Sequence, residues 1–148
     1  MSLDRGKPIA VAIGHHPNQT STLATAISLG NRLGVELIAI HVINVSDDPI
    51  DPDSMDFEVE GSRLVAEVHD NALSQLDKYQ HGWRWKVSKG SVADQIVSIA
   101  TEGKCQLIVV GGGRRRHGSQ KMATFHSTTA RQIISISLIP TLVVPSEG

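Results

Sequence analysis

The order of apolar runs along the chain is the feature that most constrains its fold. Short runs rich in Val and Ile alternate with longer segments whose apolar residues recur every three or four positions. The short runs are typical of buried strands, and the longer segments are typical of amphipathic helices. Because strand and helix alternate, we expect a parallel sheet with helices on both faces.

The same pattern gives the bounds of the elements. It predicts strands at 8–13, 35–45, 83–87, 106–110 and 141–144, and helices at 19–33, at 62–79, after Ser91 and from about Ser127. Gly34 is placed to end the first helix, and Ser91 with Asp94 forms a capping-box pattern before the third. Pro140 and Pro145 bracket the last strand, which places it at a sheet edge. The whole predicts an open, doubly wound α/β domain.

Composition indicates one globular domain over residues 1–148. The 14 Lys and Arg residues nearly balance the 15 Asp and Glu residues, which argues against a dedicated nucleic-acid-binding domain. The single cysteine, Cys105, excludes an intramolecular disulfide and fits a reducing compartment. Since the sequence holds no apolar run of the roughly 20 residues that span a bilayer, we expect a cytoplasmic protein that does not insert into membranes.

An acidic segment interrupts the pattern at about 46–60. It carries seven carboxylates, two prolines and no basic residue, and is expected to form an exposed connection. Its carboxylates lack the order of a calcium-binding loop.

The loop after the fourth strand is the best local candidate for a binding site. Ligands of open parallel sheets bind beyond the carboxyl ends of the strands, where strand order reverses. Gly111–Gly113 would let backbone amides approach an anion, Arg114–Arg116 and Lys121 add positive charge, and Ser127–Thr129 open the following helix. These parts could hold a phosphate. A solvated turn with capping hydroxyls explains them equally, and neither standard phosphate-loop motif is present.

Other kinds of site have little support in the sequence. No two of the seven histidines have the i, i+4 spacing of a helical metal site, so we expect no bound metal. Cys105 precedes a buried strand and is expected to be inert. No serine lies in a G-x-S-x-G motif, so no catalytic residue is predicted. No aromatic residue interleaves the arginine run, which argues against nucleic-acid binding.

Several segments together resemble the universal stress protein family over nearly the whole chain. They are PIAVAIG, ELIAIHVI, KGSVADQIVSIA, QLIVVGGG and HSTTARQIISISLIPTLVV. The resemblance implies a flavodoxin-like fold of the adenine nucleotide alpha hydrolase type, with strand order 3-2-1-4-5. It also implies a homodimer formed through the last strand, by Thr141, Leu142, Val143 and Val144.

The resemblance also implies where a nucleotide would bind. ATP-binding members resemble one another in an acidic residue after the first strand and in a loop G-x-x-G followed, after a spacer, by G-[ST]. This chain departs from that pattern at Gly14, at Arg114 and at His126, and its spacer is two residues longer. The implied site residues are Ala12, Ile13, Gly14, Val42, Val110, Gly111, Gly112, Arg114, Ser127 and Thr128.

Three functions remain open. The first is a dimeric regulatory or binding module that needs no cofactor and has no robust catalysis. The second is a switch that binds ATP or AMP, with Mg²⁺, and hydrolyses ATP slowly or not at all. The third is the cytoplasmic regulatory domain of a larger transporter or kinase, since the family fold also occurs fused to membrane proteins.

Overall fold

The computed structural model describes residues 6–14, 20–43, 56–112 and 129–145 of the chain. The strands are β1 (Ile9–Ile13), β2 (Leu37–Ile43), β3 (Trp83–Lys89), β4 (Leu107–Gly111) and β5 (Thr141–Val144). The helices are α1 (Thr20–Leu33), α2 (Asp56–Leu76), α3 (Val92–Glu102) and a helical stretch, α4, over 129–136. None of the described helices is both long and apolar enough to cross a membrane.

The five strands form one parallel sheet in the order β3-β2-β1-β4-β5. This confirms the predicted fold class and strand order. β1 lies at the centre, with β2 on one side and β4 on the other. The chain therefore builds the sheet outward from β1 in one direction and then returns to build it in the other.

Two apolar layers cover the sheet, because successive side chains of each strand point to opposite faces. One layer joins Ile9, Val11, Leu37 and Ala39 to residues of α1 and α2. The other joins Ala10, Ile38, Ile40, Ile108 and Val110 to residues of α3 and α4. β2 and β4 are covered on both faces, as their continuous apolar runs predict.

α2 begins earlier than its apolar period predicts. Residues 56–60, expected to belong to the exposed acidic connection, are helical, and the helix ends at Leu76 rather than Tyr79. The prediction was wrong there because acidic residues in the first turns favour a helix through its dipole. The rest of the acidic segment, 46–55, lies outside the described residues.

The start of α3 differs from its prediction, and the end of α1 agrees with its prediction. Ser91 precedes α3 with extended backbone, but its side chain makes no capping hydrogen bond, so the capping-box prediction was wrong. The Ser88 hydroxyl instead donates to the Gln95 side chain across this turn. Gly34 ends α1 as predicted: its φ is 66°, and its amide donates to the Gly30 carbonyl at 2.7 Å.

Candidate functional site

The order of the strands defines one crevice at the carboxyl end of the sheet. β1 and β4 are neighbours, and the connections that leave them lead to opposite parts of the sheet. Open parallel sheets bind ligands at such a point, because the two departing chains leave a gap between them. The predicted site residues on β1, β2 and β4 lie at this end.

Three side chains form the floor of the crevice on the α3 and α4 face. Val42 of β2, Ala12 of β1 and Val110 of β4 all pack with the apolar layer on that face. In the register of the sheet, Ala12 lies opposite Ile40 of β2, and Val42 lies two residues farther toward the carboxyl end. The floor is therefore apolar, and its smallest side chain is that of the partly buried Ala12. Ile13, predicted beside Ala12, packs against the opposite layer.

The first residue after β1 is Gly14, which is partly buried. It brings no charge to the crevice. The carbonyl of the preceding residue, Ile13, is held by the Nδ1 atom of His41 at 3.1 Å. The end of β1 is therefore fixed by a side chain of β2.

Two glycines at the carboxyl end of β4 pair with the edge strand β5. Gly111 pairs with Val144, and the Gly112 amide donates to the Val144 carbonyl at 2.7 Å. A Cβ atom at Gly112 would lie 3.0 Å from Val143 Cγ1 and 3.3 Å from the Val144 carbonyl. The close approach of β5 thus accounts for a small residue at this position, and the Gly112 amide is committed to the sheet rather than to an anion.

Three predicted site residues, Arg114, Ser127 and Thr128, lie outside the described residues. The same holds for Gly113, the rest of the arginine run and His126. Of the predicted site, the structure therefore brings together Ala12, Val42 and Val110 on one face, with Gly14, Gly111 and Gly112 at the rim.

Sequence reasoning missed His41 as a residue of this region. Its ring is fully buried, and burial lowers its pKa below the usual value, with the hydrogen bond to Ile13 acting in the opposite direction. A signal was present: His41 is a polar residue inside the apolar run LIAIHVI, at a position whose side chain must point into the protein.

Other chemistry-bearing groups lie away from the crevice. Burial raises the pKa of the Cys105 thiol to about 11, and the charges of Arg84 and Glu36 act on it in opposite directions. A thiol with so high a pKa is almost wholly protonated near neutral pH and is a poor nucleophile. Among the residues that the structure describes, no three His, Cys, Asp or Glu side chains are grouped closely enough to hold a metal ion.

Comparisons with known proteins agree on the fold. Universal stress protein UspA from Lactobacillus plantarum is 17% identical, with 93% of this chain and 97% of that chain covered and a TM-score of 0.68. A universal stress protein from Archaeoglobus fulgidus, solved in complex with dAMP, is 19% identical, with coverage of 93% and 96% and a TM-score of 0.65.

A third solved universal stress protein is in complex with cAMP. It is 15% identical, covers 95% of this chain and 98% of its own, and has a TM-score of 0.65. None of the curated proteins compared with the chain matches it. The family model of the universal stress proteins matches residues 6–145, which is nearly the whole sequence. The chain is therefore a member of the universal stress protein family.

Proposed function

We propose that this chain is a regulatory binding module that takes an adenosine monophosphate, linear or cyclic, in the crevice between β1 and β4. Binding, rather than a reaction, is its output. The observation that carries the proposal is the apolar floor formed by Ala12, Val42 and Val110 where strand order reverses, on which Ala12 has the smallest side chain. A flat purine ring suits such a floor, because it buries apolar area without needing a deep cavity.

The solved relatives support this class of ligand. One is in complex with dAMP and another with cAMP, and both share the fold over more than nine-tenths of this chain. Both ligands carry a single phosphate.

The residue after β1 favours a monophosphate over Mg·ATP. A carboxylate there could hold a divalent cation beside a polyphosphate, since Mg²⁺ in nucleotide sites is bound through one or two carboxylates and phosphate oxygens. Gly14 offers no such ligand. A single phosphate needs less neutralising charge, and the basic residues that follow Gly112 in the sequence can supply it.

Enlarging the side chain at position 12 is expected to weaken binding. Ala12→Leu places three more carbon atoms on the crevice floor, where the purine would lie. We expect the affinity for AMP, measured by titration calorimetry, to fall about tenfold or more, a loss of about 1.4 kcal/mol or more.

Ala66→Leu is the matched control, because Ala66 is exposed on α2, away from this face. It should leave AMP affinity unchanged. Equal affinities in the wild type and both variants, with similar thermal midpoints, would contradict the proposed site.

We further propose that the module is a homodimer formed through β5. Among the described residues, five of the six large apolar side chains that are exposed lie on α4, on β5 or between them: Ile134, Ile136, Leu138, Leu142 and Val143. β5 is also an edge strand. Pairing with a second copy would cover both the apolar patch and the open edge. Val144 packs into the core and would contribute its backbone alone.

A further inference from the structure

His41 is a buried titratable group that the proposed nucleotide site does not use. Its side chain is fully buried in β2, on the face that carries Leu37 and Ala39. A buried imidazole in an otherwise apolar strand weakens the core unless its nitrogens are satisfied.

The contacts of the ring fix its position and its protonation. Because the Ile13 carbonyl can only accept, the Nδ1 atom at 3.1 Å carries the hydrogen of the neutral ring. The ring is stacked on Trp85 of β3, with 6.2 Å between centroids and 19° between planes. His41, on the strand between them, therefore links the carboxyl end of β1 to Trp85 of β3.

The described residues around the ring are mainly apolar, and its burial disfavours a positive charge. From β3 it meets Trp85 and its register partner Val87, and from β1 it meets Ile13. α2 places His69 edge-on to the same tryptophan, at 5.1 Å, where it lies 3.8 Å from the carboxylate of Asp70. The α1 residues 21–29 carry no group that is charged near neutral pH.

We propose that His41 is a proton-sensitive clasp on the end of β1. Its neutral ring holds the Ile13 carbonyl through Nδ1–H, and because burial disfavours a charged ring, protonation of the other ring nitrogen favours an opened form in which the backbone leading into Gly14 is released. The site lies at the mouth of the β1–β4 crevice. If the proposed function holds, acid then weakens nucleotide binding as well.

The sign of the pH dependence follows from burial. The folded pKa of His41 lies below the unfolded value of about 6.5, so the unfolded or locally opened form binds the proton more tightly. The contribution of the clasp is complete above pH 6.5 and is lost as the pH falls below it. One proton changes the opening equilibrium by up to about tenfold per pH unit.

Amide hydrogen exchange of the nucleotide-free chain tests the clasp directly. The amides of Ile13 and Val42 report on the end of the β1–β2 ladder beside His41. The amides of Ile9 and Leu37, which donate to the carbonyls of Glu36 and Gly82, report on the amino ends of β1 and β2. Between pH 6.5 and 5, protection at Ile13 and Val42, corrected for intrinsic exchange, should fall by up to about tenfold per unit. Protection at Ile9 and Leu37 should fall less.

Two variants separate the clasp from a general effect of acid. His41→Asn keeps an N–H near the Nδ1 position but cannot be protonated, so the pH dependence at Ile13 should vanish. His69→Asn should leave it unchanged. Should His41→Asn not fold, the ¹⁵N shifts of the wild-type His41 ring decide the matter, since the clasp requires a neutral, Nδ1-protonated ring at pH 7. A pH-independent Ile13 amide, or an equal effect of His69→Asn, would overturn the proposal.

Cyclic AMP is the probe for the link to binding, because its phosphodiester lacks the second ionisation, with a pKa of about 6, of a phosphate monoester. We expect its affinity to fall between pH 7.5 and 5.5 in the wild type and not in His41→Asn. If amide exchange at Ile13 depends on pH but the affinity for cyclic AMP does not, the link between the clasp and binding is overturned and the clasp itself is not. Failure of every adenosine monophosphate to bind at pH 7.5 would overturn the proposed function, and the exchange data would still decide the clasp.

Discussion

Replacing Gly30 with alanine is expected to destabilise the protein by about 3 kcal/mol, although alanine is the better helix former by about 1 kcal/mol. A Cβ atom at Gly30 would overlap the Tyr79 hydroxyl and would lie 3.0 Å from Tyr79 Cζ and 3.2 Å from Leu37 Cδ2. That hydroxyl donates to the Val35 carbonyl. Overpacking costs about 1–3 kcal/mol, and a buried carbonyl stripped of its donor costs about 1–3 kcal/mol more.

Urea unfolding of a double-mutant cycle measures this effect. Tyr79→Phe removes the overlapping hydroxyl, so Gly30→Ala should cost about 1–2 kcal/mol less in that background than in the wild type. The same cost in both backgrounds would show that the Tyr79 hydroxyl does not occupy the space above Gly30.

Val143→Asp is expected to convert the proposed dimer to a monomer. Val143 lies on the edge strand beside Leu142, and each is more than a third exposed. Because a twofold interface contains every residue twice, the change loses the burial of the exposed part of two valine side chains, about 1–2 kcal/mol in total. It also places two like charges in the interface, which costs several kcal/mol more. The dimer dissociation constant should therefore rise by roughly a hundredfold to ten-thousandfold, which analytical ultracentrifugation would detect.

Val87→Asp is the matched control on the opposite edge of the sheet. Val87 is 44% exposed and Val143 is 38% exposed, so the two changes disturb the folded monomer to a similar degree. Leu138→Glu is a second test, since Leu138 is fully exposed and makes no contribution to the monomer core. A mass that stays dimeric in Val143→Asp and Leu138→Glu, or becomes monomeric in Val87→Asp, would contradict the proposed interface.

The central strands and the edge strand β5 could be predicted from the sequence because their signals are local. The run LIAIHVI is covered on both faces, and the prolines at 140 and 145 flank a strand at 141–144. β3 extends two residues beyond its prediction, to Lys89, because an edge strand pairs on one side only and tolerates exposed polar residues.

The candidate site was harder to predict because the same residue pattern can arise from either of two physical causes. A glycine at 112 fits a backbone that approaches a phosphate, and it fits equally a backbone pressed against a neighbouring strand; the contact with Val143 and Val144 supports the second. Likewise, the function of His41 depends on Ile13 and Trp85, which are 28 and 44 residues away in the chain. Such contacts arise only when the sheet is assembled.

Titration of the wild-type protein with AMP tests the central claim most directly. The protein would first be unfolded and refolded to remove any bound nucleotide, and then titrated in a calorimeter with AMP and, separately, with ATP and Mg²⁺. We expect one AMP per chain, bound more tightly than Mg·ATP, because Gly14 provides no carboxylate for the metal. Absence of heat with AMP, cyclic AMP and ATP alike would contradict the account and would place this chain among binding modules that do not take a nucleotide.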